Sequence, residues 1–266
     1  MKPKTNRKLV ILGCGNLAWH LASHFRIKKY SVSVYNRRAS AKLQGFKSKL
    51  GCAVFSDLNS IESDAAVYLI AVADKGIAAV CRKLPILGPD SLVLHSSGSQ
   101  PLELLKHTGA SSGVLYPLQS FTAGAALYWK EIPLLIQAKD TRSAKLLNAF
   151  LLAFPGPKLK TDNRLRLLFH LCAVLVNNFS NALYAEAYKM LGCDKNKFAL
   201  LMPLARQGLL KLDQLNPLEA QTGPARRDDR IVMRAHLGLL QDHKDMRVIY
   251  RNLSKLIQDQ HKIAHA

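Results

Sequence analysis

The stretch Leu9-Val10-Ile11-Leu12-Gly13-Cys14-Gly15-Asn16-Leu17-Ala18 limits what this chain can fold into more than any other. Four successive apolar residues suit a parallel strand buried on both faces, and Leu17 to Phe25 can follow as a helix. Gly13 permits the tight turn between them. Gly15 removes the side chain that would hold a pyrophosphate away from the backbone, and Ala18 is small enough for helix and strand to pack closely. The amides of Asn16 and Leu17 at the helix start then face the phosphates. Two glycines alone can equally make a turn with no ligand, so the surroundings carry the argument.

Those surroundings agree. Ser31 to Tyr35 alternates polar residues with Val32 and Val34, a second strand at βαβ spacing. A site for the unphosphorylated dinucleotide wants an acid just after it, to bond the ribose hydroxyl. The first fifty residues hold no Asp or Glu but twelve Lys and Arg, and Asn36-Arg37-Arg38 stands where the acid would be. Cations there suit the extra phosphate of NADP.

Later apolar runs continue the pattern: Ala66 to Ala73, Ser91 to His95, Ser112 to Tyr116 and Ile132 to Gln137, separated by helical stretches. The expected fold is α/β, a doubly wound parallel sheet, with ligands beyond the carboxyl ends of the strands. Ala73, at the end of its strand, joins the expected cofactor surface. The polar tail His95-Ser96-Ser97-Gly98-Ser99 is placed for substrate chemistry, although such residues also make ordinary turns; Tyr116 and Gln119 read as turn residues.

Pro155-Gly156-Pro157 is the sharpest break in composition, and it suggests a Rossmann-type domain over 1–156 and an all-α domain over 157–266. No Pro or Gly falls between Asn163 and Leu191. On a regular helix at about 100° per residue, His170, Asn177 and Asn181 share one stripe of an otherwise apolar surface, where polar groups need partners. A substrate carbonyl or hydroxyl is one partner, with His170 exchanging a proton; neighbouring backbone or a second subunit is another. Arg226 and Arg227, in the loop Gln221 to Asp229, can hold an anionic substrate or pair with the acids beside them.

Five widely spaced cysteines without a CxxC pair argue against a disulfide framework or a zinc site, and no metal is expected. The opening apolar run is too short for a signal peptide, and no run of consecutive apolar residues approaches the roughly twenty of a membrane span. A cytoplasmic protein is expected. The net charge of +20 invites nucleic acid, but the chain has no recognition module and only 7% aromatics, so a generally basic surface is the expectation and no specific nucleic acid.

The stretches Gly13 to Ala18, His95 to Ser99, Tyr116 to Phe121, His170 to Ala173 with Asn177-Asn178-Phe179, and Thr222 to Arg227 together resemble the family of Rossmann-like NADP oxidoreductases with a C-terminal domain of unknown function. That family's usual pattern has Gly where Asp228 stands and Thr where Ser96 stands. More distantly, the arrangement is similar to pyrroline-carboxylate, ketopantoate and hydroxyisobutyrate dehydrogenases, which are usually dimers built through the helical domain. Several of those use a Lys or His and an Asn from the long helix; with no Lys between Lys160 and Lys189, His170 with Asn177 and Asn181 is the nearest equivalent. The resemblance implies a homodimer that transfers hydride between NADP(H) and a small, anionic substrate, with His95 and Ser97 assisting. A noncatalytic NADP-binding redox sensor is the rival reading, and a deazaflavin second cofactor stays open.

Overall fold

The computed structural model describes residues 7–263. Eight strands form one sheet in the order β3-β2-β1-β4-β5-β6-β7-β8. They are β1 (Lys8–Leu12), β2 (Ser31–Tyr35), β3 (Ala53–Phe55), β4 (Val67–Ile70), β5 (Leu92–His95), β6 (Ser111–Pro117), β7 (Leu134–Ala138) and β8 (Lys158–Lys160). That order is the one of a dinucleotide-binding sheet. All neighbours are parallel except β6 and β7. The expected doubly wound parallel sheet holds apart from this pair: no crossover helix separates these two strands, and a chain that returns without one pairs antiparallel.

Helices α1 (Asn16–Ile27), α2 (Ala41–Leu50), α3 (Asp74–Lys83) and α4 (Thr141–Leu151) cover the sheet. Local chemistry sets their ends. Ser40 caps α2 and Asp140 caps α4, accepting from Leu43 N and Ser143 N, and Gly51 (φ 64°) closes α2 in the left-handed region. Successive residues of a strand point to opposite faces, so β1 feeds two cores. Leu9 and Ile11 pack with Phe25, Phe46, Phe150 and Phe154; Val10 and Leu12 pack with Tyr68, Ile77 and Cys81.

The break at Pro155-Gly156-Pro157 is a turn within the sheet, since β8 beyond it pairs with β7. A Cβ on Gly156 would lie 2.4 Å from Trp129 O. The chain instead divides into compact units after Leu175, some twenty residues past the expected boundary of 156/157. Only the first part of the long helix, α5 (Asn163–Ala173), belongs to the sheet unit; a π-helical stretch, Val174–Phe179, then leads into α6 (Ser180–Met190).

The helical unit continues through α7 (Lys195–Ala199), α8 (Met202–Leu210), α9 (Pro217–Ala220), α10 (Arg230–Leu239) and α11 (Lys244–Ile263). Asp194 caps α7 and Asp229 caps α10. Asn163–Met190 is long and apolar enough by composition to cross a membrane, which a count of consecutive apolar residues did not reveal. It nevertheless carries Arg164, Arg166, His170 and four asparagines, and Arg166 lies within the sheet unit's interior.

Candidate functional site

The carboxyl ends of β1, β2 and β4 meet at Gly13. Its N–H donates to Tyr35 O at 2.7 Å, its φ is 122°, and a Cβ there would lie 2.4 Å from Ala71 O. No side chain can occupy this position without moving backbone. Gly15 is the N-cap of α1, which has neither a side-chain cap nor an acid in its first turn. The helix start, with Asn16 and Leu17, thus keeps its positive end uncompensated by protein carboxylate. Asn16 is fixed by donating to Phe121 O at 2.9 Å, and Lys42 Nζ reaches Asn16 Oδ1 at 3.5 Å.

Arg37 and Arg38 follow β2 directly and are exposed, in a turn that Asn36 closes by donating to Arg38 O at 2.8 Å. Ala73, the N-cap of α3, ends the tail of β4. These residues could hold a dinucleotide: a backbone cradle that a Cβ would fill, an open helix start, and free-standing cations where a 2′-phosphate would fall.

A second cluster lies at the ends of β5 and β6. Tyr116 Oη and His170 Nδ1 are hydrogen bonded at 3.0 Å, with the rings edge to face. Gly98 makes this possible, because a Cβ on it would sit 2.8 Å from His170 Nδ1 and 2.9 Å from Tyr116 Cζ. Burial raises the Tyr116 pKa, with the charge of Asp74 adding to it, so the phenol keeps its proton. Beside Gly98, Ser99 Oγ donates to Asp74 at 2.6 Å.

His95 and Ser97 differ from expectation. His95 is fully buried, and burial, then the charge of Arg166, pulls its pKa down to about 4. Its Nδ1 accepts from Ser97 N, and Ser97 Oγ accepts from Ser99 N and Gln100 N. Both side chains help to shape the loop, while His95 Nε2 is buried with no hydrogen-bond partner among the described residues.

The long helix also departs from the expected stripe. The π turn spans Asn177, so the regular 100° step from His170 to Asn177 and Asn181 does not hold through it. Asn177 and Asn181 are exposed, as are Leu175, Val176 and Phe179, so within one chain this is not a desolvated surface.

In the helical unit, Arg226 donates to Glu219 O at 3.4 Å and to Gln221 O, closing its own loop, while Arg227 is exposed. Asp228 stands at φ 50°, the left-handed region, which explains physically why a glycine suits that place. Its carboxylate is held by Arg230 Nε at 3.1 Å and Gln258 Nε2 at 2.7 Å.

Sequence reasoning passed over the partnership of Tyr116 with His170, the clearance at Gly98, and Arg166. The one available signal was spacing, since Arg166 and His170 lie one helical turn apart. A cavity of about 600 Å³ opens elsewhere, among Arg7, Tyr30, Leu92 and Phe150 at the amino ends of the strands, the wrong end of such a sheet for cofactor chemistry.

Comparison with known proteins agrees with this layout. Residues 8–95 match the model described as NADP oxidoreductase, coenzyme F420-dependent, and residues 132–257 match a domain of unknown function, DUF2520. No curated protein sequence matches. A Bacteroides fragilis protein provisionally named an NADP oxidoreductase is 31% identical, with 96% of this chain and 98% of that one covered and a TM-score of 0.86. Two similar structures share the fold at lower identity. An Aspergillus terreus reductive aminase, in complex with NADPH4, cyclohexanone and allyl amine, is 17% identical over 96% of this chain and 93% of that one, TM-score 0.70. A Coxiella burnetii pyrroline-5-carboxylate reductase is 18% identical over 97% and 98%, TM-score 0.56. The chain therefore belongs to the family of NADP oxidoreductases that join a Rossmann-like domain to a helical domain of unknown function.

Proposed function

We propose that this protein transfers a hydride between NADP(H) and a polar double bond, C=O or C=N, of a small anionic substrate. The observation that carries the reading is the Gly13 turn, which backbone contact closes to any side chain, with Arg37 and Arg38 exposed where an acid would otherwise bond the ribose. Gly13, Gly15, Asn16 and Leu17 would hold the pyrophosphate, Asn36, Arg37 and Arg38 the 2′-phosphate, and Ala73 would line the cofactor's path. Bound NADPH supplies the hydride; the chain supplies position and protons.

Tyr116 and His170 suit the proton's part. Tyr116 Oη and His170 Nδ1 share a hydrogen bond, and with Tyr116 kept protonated by burial, Oη would donate to Nδ1 and leave a His170 Nε2 proton for exchange with a substrate oxygen or nitrogen. Asn177 and Asn181 would orient that substrate, and Arg227 would attract its charge. The work is done by a homodimer, because α6, α8 and α10 carry exposed apolar side chains that a second copy would cover. The five free cysteines suit a reducing, cytoplasmic setting.

The test is parallel calorimetric titration with NADPH and NADH of the wild type and of the Arg37→Ala, Arg38→Ala double variant. Charge-assisted bonds to phosphate contribute about 1.5–3 kcal/mol each. The double variant should lose on the order of a hundredfold in NADPH affinity and little for NADH. Equal affinity of the wild type for both nucleotides would overturn the 2′-phosphate assignment, and binding of neither would overturn the function.

A further inference from the structure

We infer that Arg166 is a positioning residue that seats His170 against Tyr116. Arg166 is fully buried, and no salt bridge pairs it with a carboxylate among the described residues. Its guanidinium is instead spread over neutral acceptors from three places in the chain. Nη1 donates to Gln137 Oε1 on β7; Nη2 donates to Gln100 O, after β5, at 2.6 Å and to Asn163 Oδ1, in the first turn of α5, at 3.0 Å. Asn163 extends the tie, since its Oδ1 also accepts from Leu102 N at 3.1 Å and its Nδ2 donates to Glu103 at 2.9 Å.

Burying a cation with no carboxylate in direct contact is unfavourable even though the charges of Glu103 and Asp162 act on it from nearby, and an apolar side chain of similar volume would fill the same space without that penalty. The forked geometry is what an apolar side chain lacks. It pins the first turn of α5 to the loop that carries Gly98 and to the strand beside β6, which carries Tyr116. His170 follows Arg166 by four residues and so lies one turn along the same helix face. Its ring packs against Gly98 so closely that a Cβ there would lie 2.8 Å from Nδ1. Arg166 sets the rotation and depth of α5, and that sets the distance from Tyr116 Oη to His170 Nδ1.

The catalytic consequence rests on the proposed hydride transfer; the seating does not, and the experiment keeps the two apart. The full-length chain, labelled with ¹⁵N in its histidine rings, is followed by NMR from pH 5 to 9 in the wild type, Arg166→Met, Arg166→Lys and Tyr116→Phe, each also titrated with NADPH. The His170 resonances are assigned with His170→Gln. Arg166→Met should move the His170 ring signals to those of Tyr116→Phe, with NADPH affinity within twofold of wild type. Arg166→Lys should not restore them, because a point charge lacks the planar fork; restoration by lysine would mean that charge alone acts, and it would overturn the inference.

Wild-type His170 signals in a folded Arg166→Met would overturn it equally. If Arg166→Met does not fold, Gln137→Leu decides: it removes one acceptor and leaves the guanidinium, so displaced His170 signals support the tie and unchanged ones refute it. Failure of the wild type to bind NADPH would end the hydride-transfer reading and leave the ring signals as a complete test of the seating.

Discussion

The sheet unit and the helical unit satisfy their apolar residues in opposite ways. The first buries a core on both faces of the sheet, from Leu9, Ile11 and Leu12 to Phe150 and Phe154. Among the described residues the second buries few side chains, Ala225, Leu240 and Ser254, and leaves Val176 74%, Leu200 79%, Ile231 80% and Leu239 76% exposed. At about 25 cal/mol per Å² of apolar surface removed from water, the first unit has its driving force within the chain, whereas much of the second's is unspent. The nucleotide-binding half thus stands on its own contacts, whereas the helical half leaves much of its apolar surface uncovered within one chain. The same contrast appears in the sites: Gly13 is enclosed by backbone, while Asn177 and Asn181 face outward.

The largest effect should come from charging the unfinished face. Val176→Glu changes an exposed residue and should hardly disturb an isolated chain. If a second copy covers it, an unpaired carboxylate is buried at the contact, and association should weaken by about 3 kcal/mol or more, over a hundredfold. Sedimentation velocity would show a dimer becoming monomer, with secondary structure retained by circular dichroism. A wild type already monomeric at micromolar concentration, or a variant as dimeric as wild type, would break the comparison at its second half.

The next effect belongs to the self-contained half. Gly13→Ala forces a Cβ against Ala71 O at a backbone angle of 122°. Strain and displaced strand ends should destabilise the unit by roughly 3 kcal/mol. NADPH binding should be lost. Urea unfolding should show this loss to be independent of protein concentration, unlike that of Val176→Glu; a variant as stable as wild type would show that the turn relaxes freely.

What could be read from the sequence follows the same division. β1 and β4 were legible because buried parallel strands are unbroken apolar runs, β2 because its residues alternate at βαβ spacing, and the Gly13 turn because its constraint is local. β3 and β8 were not: each has three residues, and Lys158–Lys160 is an exposed edge with nothing apolar to mark both its faces. The antiparallel turn of β7 depends on a missing crossover helix, which composition does not announce. Tyr116 and His170 meet across 54 residues of sequence, and only the folded sheet brings them together. Arg166 was invisible for a different reason, since charged side chains are rarely buried without an ion pair. The stripe through Asn177 failed because a π turn changes the helical phase, and no rule of periodicity foresees it.

The smallest effect separates the halves by pH. His95 in the folded sheet unit titrates near 4, through burial and then the Arg166 charge, against about 6.5 for an unfolded histidine. Between those values the unfolded chain binds a proton that the folded chain refuses. Stability is therefore fully present above pH 6.5, falls as pH drops through the window, and stops falling on this account below about 4. By pH 5 the loss attributable to His95 should be about 2 kcal/mol, with His24, also lowered by burial, acting in the same direction. His95→Asn keeps an acceptor for Ser97 N and removes the titration, so its urea midpoint should change less with pH than that of wild type. An acid slope unaltered by His95→Asn would mean that the proton uptake belongs to other groups, and that the buried imidazole does not tie the sheet unit's stability to pH.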